Sequence, residues 1–280
     1  MEFTAEIDEE EIFQITRSIQ EEEDLHIRIF EDSSLESAII IQGFPGMGFV
    51  GHLCCKYLML NNKVRKIAGI YSKFFTPMLQ MFEGEIIYPI TLFKILNLEA
   101  VINNKTRAIY ILVSDTPIPE ILVFKLMSRL FNYYKKMKID HIITLDALEE
   151  FKKPSDSIPR IYELTLPTDQ SLFNLQRISN TFLTGPAAAC LILSNSTSPK
   201  IANTILLADS SSYSPSPEVI LKMLKTLKKR IPALKILPES IWGLVERLIK
   251  NTGTPFIHLP PATQPSEKSE EKMRDFQFYG

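Results

Sequence analysis

Ala38-Ile39-Ile40-Ile41-Gln42-Gly43-Phe44-Pro45-Gly46-Met47-Gly48-Phe49-Val50-Gly51 decides the fold. An apolar run closes in a glycine-rich turn, and His52-Leu53-Cys54-Cys55-Lys56-Tyr57-Leu58 follows with the pattern of a helix. Three consecutive isoleucines favour a buried strand. Gly43, Gly46, Gly48 and Gly51 let the backbone take left-handed turns and pass close to a neighbour, and Pro45 stiffens the turn. Strand, tight turn and helix in this order predict an α/β fold with a mostly parallel sheet.

The same residues raise a functional question. Gly46-x-Gly48-x-x-Gly51 matches the dinucleotide fingerprint in its required setting. That fingerprint also needs an acid at the end of a second strand. The second strand reads as Val64–Tyr71 and runs into Ser72-Lys73-Phe74-Phe75, without a carboxylate. Lys73 remains a candidate for a 2′-phosphate. A P-loop fits worse, because no Gly-Lys-Ser/Thr follows. The competing reading is a packing turn in which the glycines admit a close helix.

Outward from this unit, Leu25–Phe30 alternates like an edge strand, and Ile86–Ile95 reads as a strand that Pro89 places at an edge or bulge. Ser72–Pro89 is an aromatic loop with Phe74, Phe75 and Phe82. Arg107–Val113 is a buried strand ending in Ser114-Asp115-Thr116-Pro117-Ile118-Pro119, where Thr116 and Pro117 suggest a helix start. That helix runs to about Met137. Asp140–Asp146 is the next strand and completes a βαβ unit with a parallel pair. Asp115 and Asp146 both stand at carboxyl ends of strands, where α/β sites form. Further elements are a strand near Pro159–Leu166, a small-residue segment at Phe182–Leu193, a strand at Asn203–Ala208, a helix at Pro217–Arg230 and a last helix at Leu237–Lys250.

Charge is distributed unevenly. The net charge is −2, but residues 1–36 carry 13 acidic against 2 basic side chains. Ile12, Ile15 and Ile19 make one helical stripe among those acids. The segment reads as a solvated face, with an interaction arm as the alternative. Cys54, Cys55 and Cys190 fit no zinc spacing and read as buried thiols. His26, His52, His141 and His258 are scattered, so no metal or other cofactor is expected, and no nucleophile elbow exists. No signal peptide or membrane span is visible, and the balanced charge calls for neither nucleic acid nor membrane. A cytoplasmic location is expected. From Pro260 the composition predicts a flexible tail, yet it ends in Phe276-Gln277-Phe278-Tyr279-Gly280, which suits a docking peptide.

Together these blocks resemble the ATP-independent proteasome assembly chaperones, the archaeal proteins and the second subunit of the eukaryotic chaperone pair. Gly43–Gly51 resembles the family's opening motif. Ser114–Pro119, Thr184-Gly185-Pro186-Ala187-Ala188 and Ser216-Pro217-Glu218 are similar to its later blocks, and the resemblance spans about residues 25–250. It departs where Pro186-Ala187-Ala188-Ala189 replace a glycine-rich segment and where Ser216 stands in place of an acid. The resemblance implies a three-layer α/β/α sandwich of phosphorylase/hydrolase-like type over 25–258, between an acidic segment (1–24) and a tail (259–280). It implies a non-enzymatic, homo-oligomeric chaperone whose partners are α subunits of the proteasome core particle. Phe278-Tyr279-Gly280 is similar to the family's C-terminal hydrophobic–Tyr–any-residue (HbYX) motif. The resemblance places it between adjacent α subunits, with the terminal carboxylate on a lysine. The alternative is a nucleotide- or nucleoside-binding enzyme that uses the Gly43–Gly51 turn.

Overall fold

The computed structural model describes residues 25–31, 37–78, 80–82, 84–148, 159–196, 198–210 and 215–251. The acidic stripe of residues 1–24, the loop at 152–158 and the tail with Phe278, Tyr279 and Gly280 lie outside the described residues.

Among the described residues eight strands form one sheet in the order β1-β3-β6-β7-β2-β8-β10-β9. They are β1 (His26–Ile29), β2 (Ala38–Gly43), β3 (Val64–Tyr71), β6 (Ile90–Ile102), β7 (Lys105–Ser114), β8 (Ile139–Leu148), β9 (Ile161–Thr165) and β10 (Ala202–Asp209). A small hairpin, β4 (Gln80–Phe82) and β5 (Glu85–Ile87), stands apart. The central strands β7, β2, β8 and β10 are parallel, and antiparallel strands flank them. β2 lies in the middle because its six residues are all buried, as a strand covered on both faces requires.

The helices are α1 (Val50–Asn61), α2 (Glu120–Lys136), α3 (Gly185–Ser196), α4 (Pro217–Arg230) and α5 (Pro238–Asn251). Alternation along β2 sends Ile39 and Ile41 into the core shared with α1, α4 and α5, while Ile40 joins the core under α2 and α3. The result is three layers, helices over both faces of a mixed sheet whose four central strands run parallel. Among the described residues no helix is long and apolar enough to cross a membrane. All three cysteines are buried free thiols, and burial pushes Cys190 up to about 12.

Three local expectations are corrected. β7, α2 and β8 do not give an adjacent parallel pair, because β2 lies between the two strands. α2 starts at Glu120 rather than Pro117, and Thr116 does not cap it. Ile118 precedes a second proline, and a residue before proline is pushed out of the helical region. Pro89 marks neither an edge nor a bulge: β6 begins one residue after it and runs inside the sheet. The missing proline N–H therefore removes no ladder bond, and Pro89 O accepts from Asp115 N at 2.7 Å. By contrast, α4 spans Pro217–Arg230 as expected, with Ser216 accepting from Val219 N at its start.

Candidate functional site

The glycine turn sits where β2 hands the chain to α1, at the carboxyl ends of the parallel strands. Its four glycines differ in role. A Cβ on Gly43 would lie 2.1 Å from Gly51 O, and one on Gly51 would lie 2.0 Å from Leu145 O. α1 thus rests directly on the backbone of β2 and β8. Gly48 turns left-handed at φ 56°, and Phe49 follows at φ 53°, a conformation that costs a side-chain-bearing residue free energy. Gly46 is exposed, and its nearest neighbour would be Asp146 Oδ1 at 3.2 Å. Phe44 is buried in the core under α2, and Pro45 is half-buried.

Two carboxylates flank the turn. Asp146 accepts from Ala147 N at 2.8 Å, and burial pushes its carboxyl up to about 6. Asp115 follows the end of β7 and accepts from Lys56 Nζ at 2.8 and 2.9 Å. Lys56 Nζ also donates to Gln80 Oε1 at 2.8 Å, so one ammonium group joins α1, the β7 end and the β4–β5 hairpin. His52 Nδ1 lies 2.7 Å from Ser114 O. A carbonyl only accepts, so Nδ1 carries the proton and Nε2 faces Asp115 Oδ1 at 3.7 Å. Burial lowers the His52 pKa, aided by Lys56 and opposed by Asp115 and the Ser114 bond. Burial thus disfavours the charged imidazole beside a paired carboxylate. The arrangement orders three elements around an internal ion pair.

Asp115 and Asp146 were legible as strand ends, but His52 and Lys56 were missed. Their i, i+4 spacing on α1, one face toward a strand end, is the signal that finds them. The dinucleotide geometry is not assembled. β6 and β7 separate β3 from β2, so the strand expected to read the ribose is not beside the turn. Lys73 is exposed, with its ammonium 5.5 Å from the Phe74 ring centroid. Of the loop aromatics, Phe75 is buried, Phe82 packs against the core and Phe74 is exposed. Among the described residues no three His, Cys, Asp or Glu side chains group as metal ligands.

The raised Asp146 carboxyl has a signed consequence. Its folded pKa, about 6, exceeds the ordinary 3.8, so folding favours the protonated acid. This contribution is fully present below about pH 4 and is lost as pH rises through about 6. Asp146→Asn should remove that loss and stabilise the fold at pH 7.5 relative to pH 4 by about 1–2 kcal/mol, after discounting for partial exposure. Urea titrations of both proteins at the two pH values check this. An unchanged difference between variant and wild type would show that the carboxyl titrates normally. The comparison must be a difference, because His141, lowered to about 4 chiefly by burial, contributes the opposite slope.

The model of the PAC2 family matches residues 40–241. A comparison with curated protein sequences finds no match. Solved structures share the fold. Pyrococcus furiosus PbaA, described as an archaeal homologue of proteasome-assembly chaperone, superposes with a TM-score of 0.64 at 18% identity, covering 90% of this chain and 99% of its own. Pyrococcus furiosus PbaB, described as an archaeal proteasome activator, gives 0.62 at 16% identity over 91% and 99%. A PAC2 family protein from Streptomyces avermitilis gives 0.57 at 14% identity over 77% and 94%. The resemblance carried by Gly43–Gly51 and the later blocks is thereby upheld. With the family model spanning well over half its length, this chain belongs to the PAC2 family.

Proposed function

We propose that this chain is a non-enzymatic assembly chaperone of the proteasome core particle, a homo-oligomer that binds α subunits or the α ring. The observation that carries the reading is the family match over residues 40–241, which encloses the glycine turn and all of the central strands but the first two residues of β2. The turn supports it further. Gly43 and Gly51 are occupied by backbone, which leaves them as packing devices and weakens the enzyme alternative.

In this proposal Phe278-Tyr279-Gly280 docks between α subunits. Two aromatic anchors in a desolvated pocket would supply most of the affinity, and several copies on one oligomer would add avidity. The test compares the intact protein with a version lacking residues 278–280, each titrated onto core particles from the same source. The truncation should weaken binding at least about thirtyfold, the ~2 kcal/mol of one aromatic anchor. Equal binding would leave the body as the docking element, and no binding by either protein would overturn the proposal. A thermal-shift series with NADP, ATP and nucleosides should show no stabilisation, where a saturating ligand would add about 2.7 kcal/mol at 100 times its Kd.

A further inference from the structure

The two helical layers turn unlike surfaces outward. On α4, Lys222, Lys225 and Lys229 recur at i, i+3 and i+7 and are all exposed. α3, by contrast, carries no charged side chain at all, and its Ile192 is 54% exposed. Beside it, α2 leaves Ile121 77% and Phe124 54% exposed, and Phe182, just before α3, is 90% exposed. A surface helix ordinarily gives its outer face to charged and polar residues.

These side chains share one surface. α2 leads from the end of β7 to the start of β8, and α3 leads to the start of β10, so the packed pair runs in one direction along parallel strands. Lys135 Nζ donates to Ser198 O, just past α3, at 3.1 Å. Counted back along each helix, Ser128 and Ile192 both stand roughly 10 Å from that bond, so they are level. Ile121, Phe124, Ser128 and Lys135 recur at i, i+3, i+7 and i+14, a single face of α2. Lys135 turns that face toward α3, whereas Arg129 on the far flank donates to Leu25 O. On α3, Ala189, Cys190 and Leu193 join the core under α2, and Ile192 stands next to Leu193 on the outer side. The apolar surface therefore runs across both helices, with the small residues Ser128 and Ala188 near its middle.

We propose that a second copy of this chain covers this surface across a two-fold axis near Ser128, α2 on α2 and α3 on α3, each pair antiparallel. A two-fold contact makes a patch meet itself. An uncharged patch can do so, while the α4 lysines would repel their own copies. With Ser128 at the crossing, exposed Glu120 of one copy comes to exposed Lys136 of the other, and the two helix dipoles oppose. Ile192, level with Ser128, meets its twin. The area suffices. At about 200 Å² per phenylalanine, Phe124 and Phe182 expose roughly 290 Å². The two isoleucines raise the patch to roughly 500 Å², near the upper end for a monomer. Doubled across the axis, it reaches the ~1,000 Å² that a specific interface needs. This contact deepens the homo-oligomeric reading above and rests on it.

Sedimentation velocity over a concentration series is compared for the full chain and for Phe124→Glu, Ile192→Glu and Lys225→Ala. The first two should weaken self-association at least about thirtyfold, as loss of a buried anchor does, and Lys225→Ala should leave it unchanged. Phe124 and Ile192 are exposed, so the far-ultraviolet circular dichroism of both glutamate variants should match the wild type. Ser128→Cys gives a positive signal that a misfolded variant does not. Under mild oxidation of the associated protein the new thiol should join its twin, giving a covalent dimer on a non-reducing gel, while Cys54, Cys55 and Cys190 stay buried. Self-association unchanged in both glutamate variants, or no covalent dimer of Ser128→Cys, overturns this contact and leaves the homo-oligomeric reading standing. A full chain that stays monomeric at every concentration overturns both, and another partner or another segment of the chain then covers the surface.

Discussion

Gly51→Ala is expected to yield no folded protein. The added methyl would sit 2.0 Å from Leu145 O and 2.9 Å from Leu145 C, and these are backbone atoms of a central strand. No rotamer change relieves such a contact. α1 must lift off β8 by more than an ångström, which would part Val50, Leu53 and Cys54 from the core they fill. Overpacking absorbed by side chains costs about 1–3 kcal/mol. Here the backbone must move, so the expected cost exceeds about 4 kcal/mol, a large share of the ~5–15 kcal/mol that holds a domain together. Gly43→Ala should behave alike, its methyl 2.1 Å from Gly51 O. Gly46→Ala is the contrast. It is exposed, has extended φ of −154° and would meet the Asp146 side chain at 3.2 Å and Phe44 O at an ordinary contact distance of 3.9 Å, so its unfolding temperature should stay within a few degrees of wild type. Soluble yield and thermal unfolding of the three variants decide the matter. A well-folded Gly51→Ala would show that the close approach of α1 is not what the glycine is for.

This contrast explains how much the sequence could disclose. The strand–turn–helix at residues 38–61 was legible because apolar runs and glycines are local signals. α4 was legible to the residue, since Ser216, Pro217 and the terminal lysines mark both ends. The position of β2 between β7 and β8 was not, because strand order is set by packing between distant segments. The long β6–β7 hairpin escaped for another reason. Its turn, Asn103-Asn104, has both residues left-handed at φ 50° and 59°, the signature of a type I′ hairpin, but a pair of asparagines is a weaker mark than Asn-Gly. Asn97, at φ 60°, accompanies a register shift between Lys94 and Glu99 that breaks the strand alternation. The site was half legible. Asp115 and Asp146 follow from strand ends, whereas the partnership of Asp115 with Lys56 and His52 required the helix to be seen against the sheet.

Glu163→Ala should be the most damaging change outside the glycine turn, at about 3–5 kcal/mol. Glu163 lies in β9 with its side chain fully buried, a place where a carboxylate survives only if its oxygens are bonded. They are. Ser171 Oγ donates at 2.5 Å, Leu172 N at 2.6 Å, Phe173 N at 3.3 Å and Leu175 N at 3.4 Å. The backbone of the same residue pairs with Gln176 O and Ile178 N. One residue therefore holds residues 171–178 against the outer side of β9, where an edge strand would otherwise present unpaired groups. Alanine removes the acceptor for four donors at once. Glu163→Gln keeps one carbonyl acceptor but turns an amide toward N–H groups, so it should fall between alanine and wild type. Urea unfolding gives the magnitude, and hydrogen exchange at Leu172, Phe173 and Leu175 gives the cause. Those three amides should lose protection in Glu163→Ala while amides in β2 change only with global stability. If the loop amides keep their protection relative to β2, packing of Leu172 rather than the carboxylate holds the segment. Loss of the cover would also bare β9, so the alanine variant should aggregate from partly unfolded states more readily than Asp146→Asn, whose change leaves the segment over β9 in place.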